Sequence, residues 1–266
     1  MKIHHLRNAT FVIESGEHFI LIDPMLSNTG GLPPFAFFRH KPLRNPIVPL
    51  PENALDLLDK ISLCFITHSQ KWGIQALTHT DHLDLPGIVF LRKNKIPVVC
   101  HHKDAPYLRK HQIRVAAATE YWQPLDLSMG RVVAVPAKHG HGWYHNLMAN
   151  GSGFYLELEK EPSMYISSDT VFTREVARAL DEFKPDISVV AAGGASMDIG
   201  GPILMTLDEI VSFVQKAPGR VIANHMDALN HCPITRSKLI RCLTQKKLLK
   251  KTWIPGDGET IQVIEG

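Results

Sequence analysis

The sequence predicts an α/β fold, and three observations carry that expectation. Short apolar runs of strand length recur along the 266 residues. Stretches of helix length, several of them amphipathic, lie between many of these runs. Again and again a strand-like run stops in a residue able to bind a metal: His68, His139, Asp169 and His225. The C-terminal ends of strands are where an α/β sheet presents its chemistry. A chain of this length with 44% hydrophobic residues can bury a substantial core, as one large domain or two small ones. No solenoid-type period or low-complexity tract appears in it.

In chain order, Thr10-Phe11-Val12-Ile13 and Phe19-Ile20-Leu21-Ile22 flank Glu14-Ser15-Gly16-Glu17 and read as a β-hairpin ending at Asp23-Pro24. Residues 25–51 have no clean period and carry Gly30-Gly31, several prolines and the aromatics Phe35, Phe37 and Phe38. A loop this long within a compact domain suits a lid or an ordered surface excursion. A short helix over 52–59 precedes the buried strand Ile61–Ile66. Pro86 opens a helix running to about residue 95, as proline suits a first helical turn. Ile96–Cys100 is a strand, 103–112 a helix, 114–117 a short strand and Arg131–Pro136 another strand. Gly153–Leu158 and Ser163–Ser167 form a strand pair around a charged turn. Then come an amphipathic helix over 172–182, a strand over Ile187–Val190 and a helix over 206–216. A strand over Arg220–Ala223, a basic helix over 235–248 and strand-like segments in 252–264 complete the chain.

The net charge of +3 is too weak to argue for nucleic acid. The four cysteines form no C-x-x-C pair, and Cys64 and Cys100 lie in apolar runs, so reduced core thiols are expected. The N-terminus lacks the apolar segment of a signal peptide, and no apolar run approaches membrane-spanning length. A soluble cytoplasmic protein acting on a small molecule, without a membrane partner, is the expectation; self-association is left open.

The densest chemistry lies in Thr67-His68 and His79-x-Asp81-His82. Imidazole and carboxylate together suit a divalent Zn, Mn or Fe, and no thiolate nearby suggests a cysteine-type structural site. On a turn, the adjacent Asp81 and His82 can diverge toward two metals. An isolated H-x-D-H is equally compatible with a polar loop and a helix-capping aspartate. The strand-end residues His68, His139, Asp169 and His225 raise the count to seven candidates, enough for a dinuclear site.

With these residues in place, the chain resembles the metallo-β-lactamase-fold hydrolases over nearly its whole length. The resemblance runs through Leu21-Ile22-Asp23-Pro24, Thr67-His68 with His79, Asp81 and His82, Val135-Pro136-Ala137-Lys138-His139, Ser167-Ser168-Asp169-Thr170 and Asn224-His225. Within the family it looks most like the ascorbate-phosphate-lactonase-like branch. The resemblance implies a single domain over 1–266, a four-layer αβ/βα sandwich of two mixed sheets flanked by helices, with metals at one edge. It implies His68, His79 and His139 on one metal, Asp81, His82 and His225 on a second, and Asp169 bridging. Two divalent ions are implied, zinc first, with Mn, Fe or Ni as the others.

Two departures matter. The family spaces its first two histidines two apart, whereas His68 and His79 are eleven apart, and Ser168 stands where the family has glycine. If the insert loops out from the strand end, His68 remains a ligand; if not, a mononuclear site follows. The implied chemistry is hydrolysis by water whose pKa the metal lowers to about 7. Asp81 accepts a proton, His141 donates to substrate, and Asp23 and Asp84 orient imidazoles or serve as turn and capping residues. His145 and His231 read as surface or core residues. A small ester, lactone or phosphorylated sugar derivative is the expected substrate. A phosphodiesterase or nuclease of the same fold, or a non-catalytic metal-binding relative, are the alternatives.

Overall fold

The computed structural model describes residues 1–70 and 78–263. The first sheet contains β1 (Lys2–Arg7), β2 (Thr10–Ser15), β3 (His18–Ile22), β4 (Leu63–Ile66), β5 (Val98–His101), β6 (Val115–Thr119) and β14 (Thr260–Gln262). Its order is β14-β1-β2-β3-β4-β5-β6, antiparallel from β14 to β3 and parallel from β3 to β6. The second sheet contains β7 (Pro124–Leu127), β8 (Gly130–Pro136), β9 (Ser152–Leu158), β10 (Met164–Ile166), β11 (Ile187–Ala191), β12 (Arg220–Asn224) and β13 (Thr252–Trp253). Its order is β13-β12-β11-β10-β9-β8-β7, parallel from β13 to β10 and antiparallel from β10 to β7.

The period-2 alternation of side chains makes the layers. In β4, Phe65 faces the apolar layer between the sheets, which also holds Ile22, Phe154 and Val189. Its neighbours Cys64 and Ile66 face the other way, onto α1 (Ala54–Leu58), α2 (Leu85–Lys93) and α3 (Ala105–Lys110). The outer face of the second sheet carries α4 (Arg174–Phe183), α5 (Leu207–Lys216) and α6 (Arg236–Gln245), which bury Val176, Leu180, Phe213 and Leu239 against Tyr155, Val190 and Val221. The result is the four-layer αβ/βα sandwich. No helix among the described residues is long and apolar enough to cross a membrane.

Helix boundaries follow their caps. Thr173, Thr206 and Thr235 each accept a backbone N–H at a helix start, and Thr206 forms a full capping box with Glu209. Two strands escape the sequence reading. β1 carries His4, His5 and Arg7, polar yet buried, so its alternation is masked. β7 opens on Pro124 at a sheet edge, where a missing N–H is tolerated. The C-terminal segment divides between the sheets: β13 extends the second and β14 closes the first.

The stretch 25–51 is ordered by polar side-chain clamps rather than by regular structure. The Arg7 guanidinium, wholly buried, donates to the carbonyls of Met25, Ser27 and Val48 at 2.9–3.0 Å. Asn230 accepts from Phe35 N and donates to the carbonyls of Ala36 and Lys41, while its own N–H donates to Asn45 Oδ1.

Candidate metal centre

β4, β8, β10 and β12 all release their polar ends at one edge of the sandwich. His68, His139, Asp169 and His225 lie just beyond those strands. The eleven-residue separation of His68 and His79 is closed at its base. Gln70 and Thr78 pair as an antiparallel bridge, and His79 N donates to Ser69 O at 2.8 Å. The intervening 71–77 lie outside the described residues. The stem brings the two imidazoles to 4.6 Å between ring centroids, with His139 5.4 Å from His68 and 5.1 Å from His79.

The donor atoms fall into two groups, His68 with His79 and His139, and Asp81 with His82, Asp169 and His225. Within each group they lie within 4.8 Å of one another. Asp169 Oδ2 reaches both groups: it is 3.2 Å from His82 Nε2, 3.4 Å from His225 Nε2 and 3.6 Å from His139 Nε2. Asp81 Oδ2 is 3.7 and 3.6 Å from the Nε2 atoms of His82 and His225.

The outer ring nitrogens are held by neighbours, the arrangement that aims an imidazole at a metal. His82 Nδ1 lies 2.8 Å from Asp23 Oδ2, and His139 Nδ1 lies 2.8 Å from the Ile203 carbonyl. Asp23 also accepts from Thr67 N and Thr67 Oγ1, so one carboxylate fixes both the end of β4 and the His82 ring. Asp84 does something else: it caps α2 through Gly87 N and accepts from Ser27 N.

The donor set fits divalent metals. His68 Nε2 and Asp169 Oδ1 are buried with no hydrogen-bond partner, a costly state for polar atoms that a metal relieves. Burial and then the neighbouring imidazoles push His68 well below its ordinary range and His79 down to about 3, which keeps both neutral and able to ligate. Burial opposes ionisation of Asp81 and Asp169, but His82 and His225 hold both carboxyls well below their usual range. Burial likewise disfavours charge on His82, yet Asp169, Asp23 and Asp81 outweigh it and raise that imidazole to about 10. Two ionised carboxylates among buried imidazoles form a site built for cations.

A cavity of about 490 Å³ opens onto this centre, with His79, Thr80, Asp81 and His139 on its wall. Leu32, Pro33 and Phe35 come from the 25–51 stretch, Tyr144, Leu147 and Met148 from the segment after His141, and Met197 and Ile203 from the loop after β11. His141 does not line it, contrary to the substrate-donor role expected from sequence: its exposed ring sits 3.1 Å from Glu209 Oε2, which draws it toward α5. Gly193 lies in the bend after β11. A Cβ there would meet the His225 carbonyl at 2.1 Å, so the glycine permits close packing beneath the site. The sequence reading missed His231, which is buried yet lines the cavity. Its place in the loop that leaves His225 was the available clue.

The family model described as a beta-lactamase superfamily domain matches residues 18–226. The chain belongs to that superfamily. It is 28% identical to the UPF0173 protein YddR of Bacillus subtilis over 98% of this chain and 99% of that one. A UPF0173 metal-dependent hydrolase of Ruegeria pomeroyi is 27% identical over 76% of this chain and 77% of its own. Among solved structures, an isothiocyanate hydrolase from Delia radicum gut bacteria superposes with a TM-score of 0.86 at 28% identity, covering 99% of both chains. Together with the donor cluster, these relatives identify a metal-dependent hydrolase of the metallo-β-lactamase superfamily.

Proposed function

We propose that this enzyme hydrolyses a small, uncharged, largely apolar electrophile: an ester, a lactone or an isothiocyanate. The observation that carries the proposal is the cavity, whose walls are mostly aliphatic, aromatic and thioether side chains, while its polar end is the double donor cluster. Among the described residues no lysine or arginine lines it, so a phosphorylated sugar or a nucleic-acid backbone finds no side-chain cation there. The isothiocyanate reading draws on the named activity of the Delia radicum gut-bacterial relative.

In this reading His68, His79 and His139 would hold one metal and Asp81, His82 and His225 a second, with Asp169 within reach of both donor groups. Zinc is the first candidate, with Mn, Fe or Ni also suited to the donors. Bound there, divalent metals supply Lewis acidity and water with a pKa of about 7. The chain does the rest. The apolar walls exclude bulk water and orient the substrate with its electrophilic carbon toward the cluster. Asp81, the one cluster carboxylate on the cavity wall, is placed to take up a proton as the intermediate collapses.

The test is a panel assayed with zinc- and manganese-loaded protein: p-nitrophenyl acetate, a γ-lactone, benzyl isothiocyanate and a p-nitrophenyl phosphodiester. The proposal expects turnover of at least one uncharged substrate, abolished by chelation and restored by metal. Turnover of the phosphodiester alone contradicts it.

A further inference from the structure

His231 is the one imidazole of the described cavity wall that lies outside the two donor groups. It is 3% exposed, so what access it has is to the cavity. Three contacts hold it. Its ring meets the edge of Phe35 at 5.2 Å and 89°, its carbonyl accepts from Ser196 N, and its Nδ1 lies 4.0 Å from Cys232 Sγ. The same sulfur lies 3.7 Å from His225 Nδ1.

These contacts order the protons. His225 turns Nε2 toward Asp81 and Asp169; with a divalent metal on that nitrogen the ring would keep its proton on Nδ1 and donate it to Cys232 Sγ. The Cys232 thiol then has its own hydrogen to give to His231 Nδ1, since a thiol is both a weak donor and a weak acceptor. A His231 ring that accepts at Nδ1 carries its hydrogen on Nε2.

We infer that His231 is a substrate-contacting residue, donating a hydrogen bond from Nε2 to the heteroatom of the molecule bound in the cavity, with its tautomer set through Cys232 by His225. In a pocket with mostly apolar walls, one oriented donor discriminates strongly, because a ligand lacking the acceptor leaves a buried N–H unpaired. The inference rests on the hydrolase reading only for where the substrate sits. It assigns the ligand class as a small apolar molecule carrying a single hydrogen-bond acceptor.

The test compares the metal-loaded wild type with His231→Phe, which keeps a planar ring and removes the donor. Binding of acetophenone and of its hydrocarbon isostere α-methylstyrene is measured by NMR titration, alongside metal content and ester turnover. Acetophenone affinity is expected to fall at least tenfold in the variant, with α-methylstyrene affinity and metal content retained. Cys232→Ala, which frees the His231 tautomer, is expected to reproduce part of the acetophenone loss and none of the α-methylstyrene loss. Equal losses for both probes, metal loss in His231→Phe, or a wild type that binds neither probe overturn the inference. A wild type that turns over no uncharged substrate, yet shows the acetophenone-specific loss, refutes the proposed function and leaves the role of His231 standing.

Discussion

Residues at the ends of the site's strands hold backbone that side chains seldom adopt. Asp23, Ser168 and His225 have φ of +46°, +60° and +62°, in the left-handed region. The left-handed conformation costs a non-glycine residue roughly 1–2 kcal/mol. Glycine adopts this conformation freely, so Ser168 is tolerated there without being neutral. Ser168→Gly is expected to stabilise the protein by about 1 kcal/mol, raising Tm by roughly 2–4 °C, without loss of bound metal. A lower Tm would mean that the contact between Ser168 Oγ and His68 Nδ1, 3.5 Å apart, outweighs the strain. Asp104 gives a pH signature. It accepts from both the N–H and the hydroxyl of Ser69, beside His68, and burial pushes its carboxyl up to about 6 from 3.8. Between those values the folded chain holds a proton that the unfolded chain has released, so this group lowers stability as pH rises through the window. Asp104→Asn should therefore gain on the order of 2–3 kcal/mol over wild type at pH 8 and little at pH 4, read by urea unfolding at both. A constant difference across pH would refute this. The roles of Asp23 and Asp84 were not separable in sequence, because orienting a histidine and capping a helix both ask for a carboxylate near a strand end.

At the level of elements, the cavity wall depends on side-chain clamps in place of secondary structure. Asn230 ties together Phe35, Ala36, Lys41 and Asn45, and Asp198 accepts from the N–H groups of Phe37, Phe38 and Arg39. The 25–51 stretch is thus a fixed wall in this structure, and the aromatics that suggested packing do supply Phe35 to the cavity. Asn230→Ala removes the Asn230 side-chain bonds to Phe35 N, Asn45 Nδ2 and the carbonyls of Ala36 and Lys41, at a cost of about 2–3 kcal/mol. Its enzymatic effect should be a raised KM with little change in kcat, because the wall binds substrate and does not act on it. A fall in kcat with KM unchanged would contradict that view. The strands feeding the site were legible because each is a short apolar run with a polar end. β1 and β7 were not, since buried histidine and arginine in one and an edge proline in the other conceal the period. The tertiary partner of a polar residue is not written in its neighbours, so neither the pairing of His141 with Glu209 nor the place of His231 on the cavity wall was legible.

For the whole molecule, two sheets closing over one apolar layer bring the ends of β4, β8, β10 and β12 to one edge, and the seven donors meet there. The donor types and their strand-end positions were visible in sequence. Their grouping was implied only by the resemblance, because the insert after His68 hides the stem at Gln70 and Thr78 that brings His68 to the side of His79. The central claim is that these side chains form one two-part metal centre serving a hydrolase. The most direct measurement is metal content per chain by elemental analysis, on wild type and on His68→Ala, after loading with zinc and removal of excess. Two ions are expected in the wild type, falling toward one in the variant, with hydrolysis falling in parallel. One ion in both would contradict the role of His68, and none in either would contradict the metal centre itself.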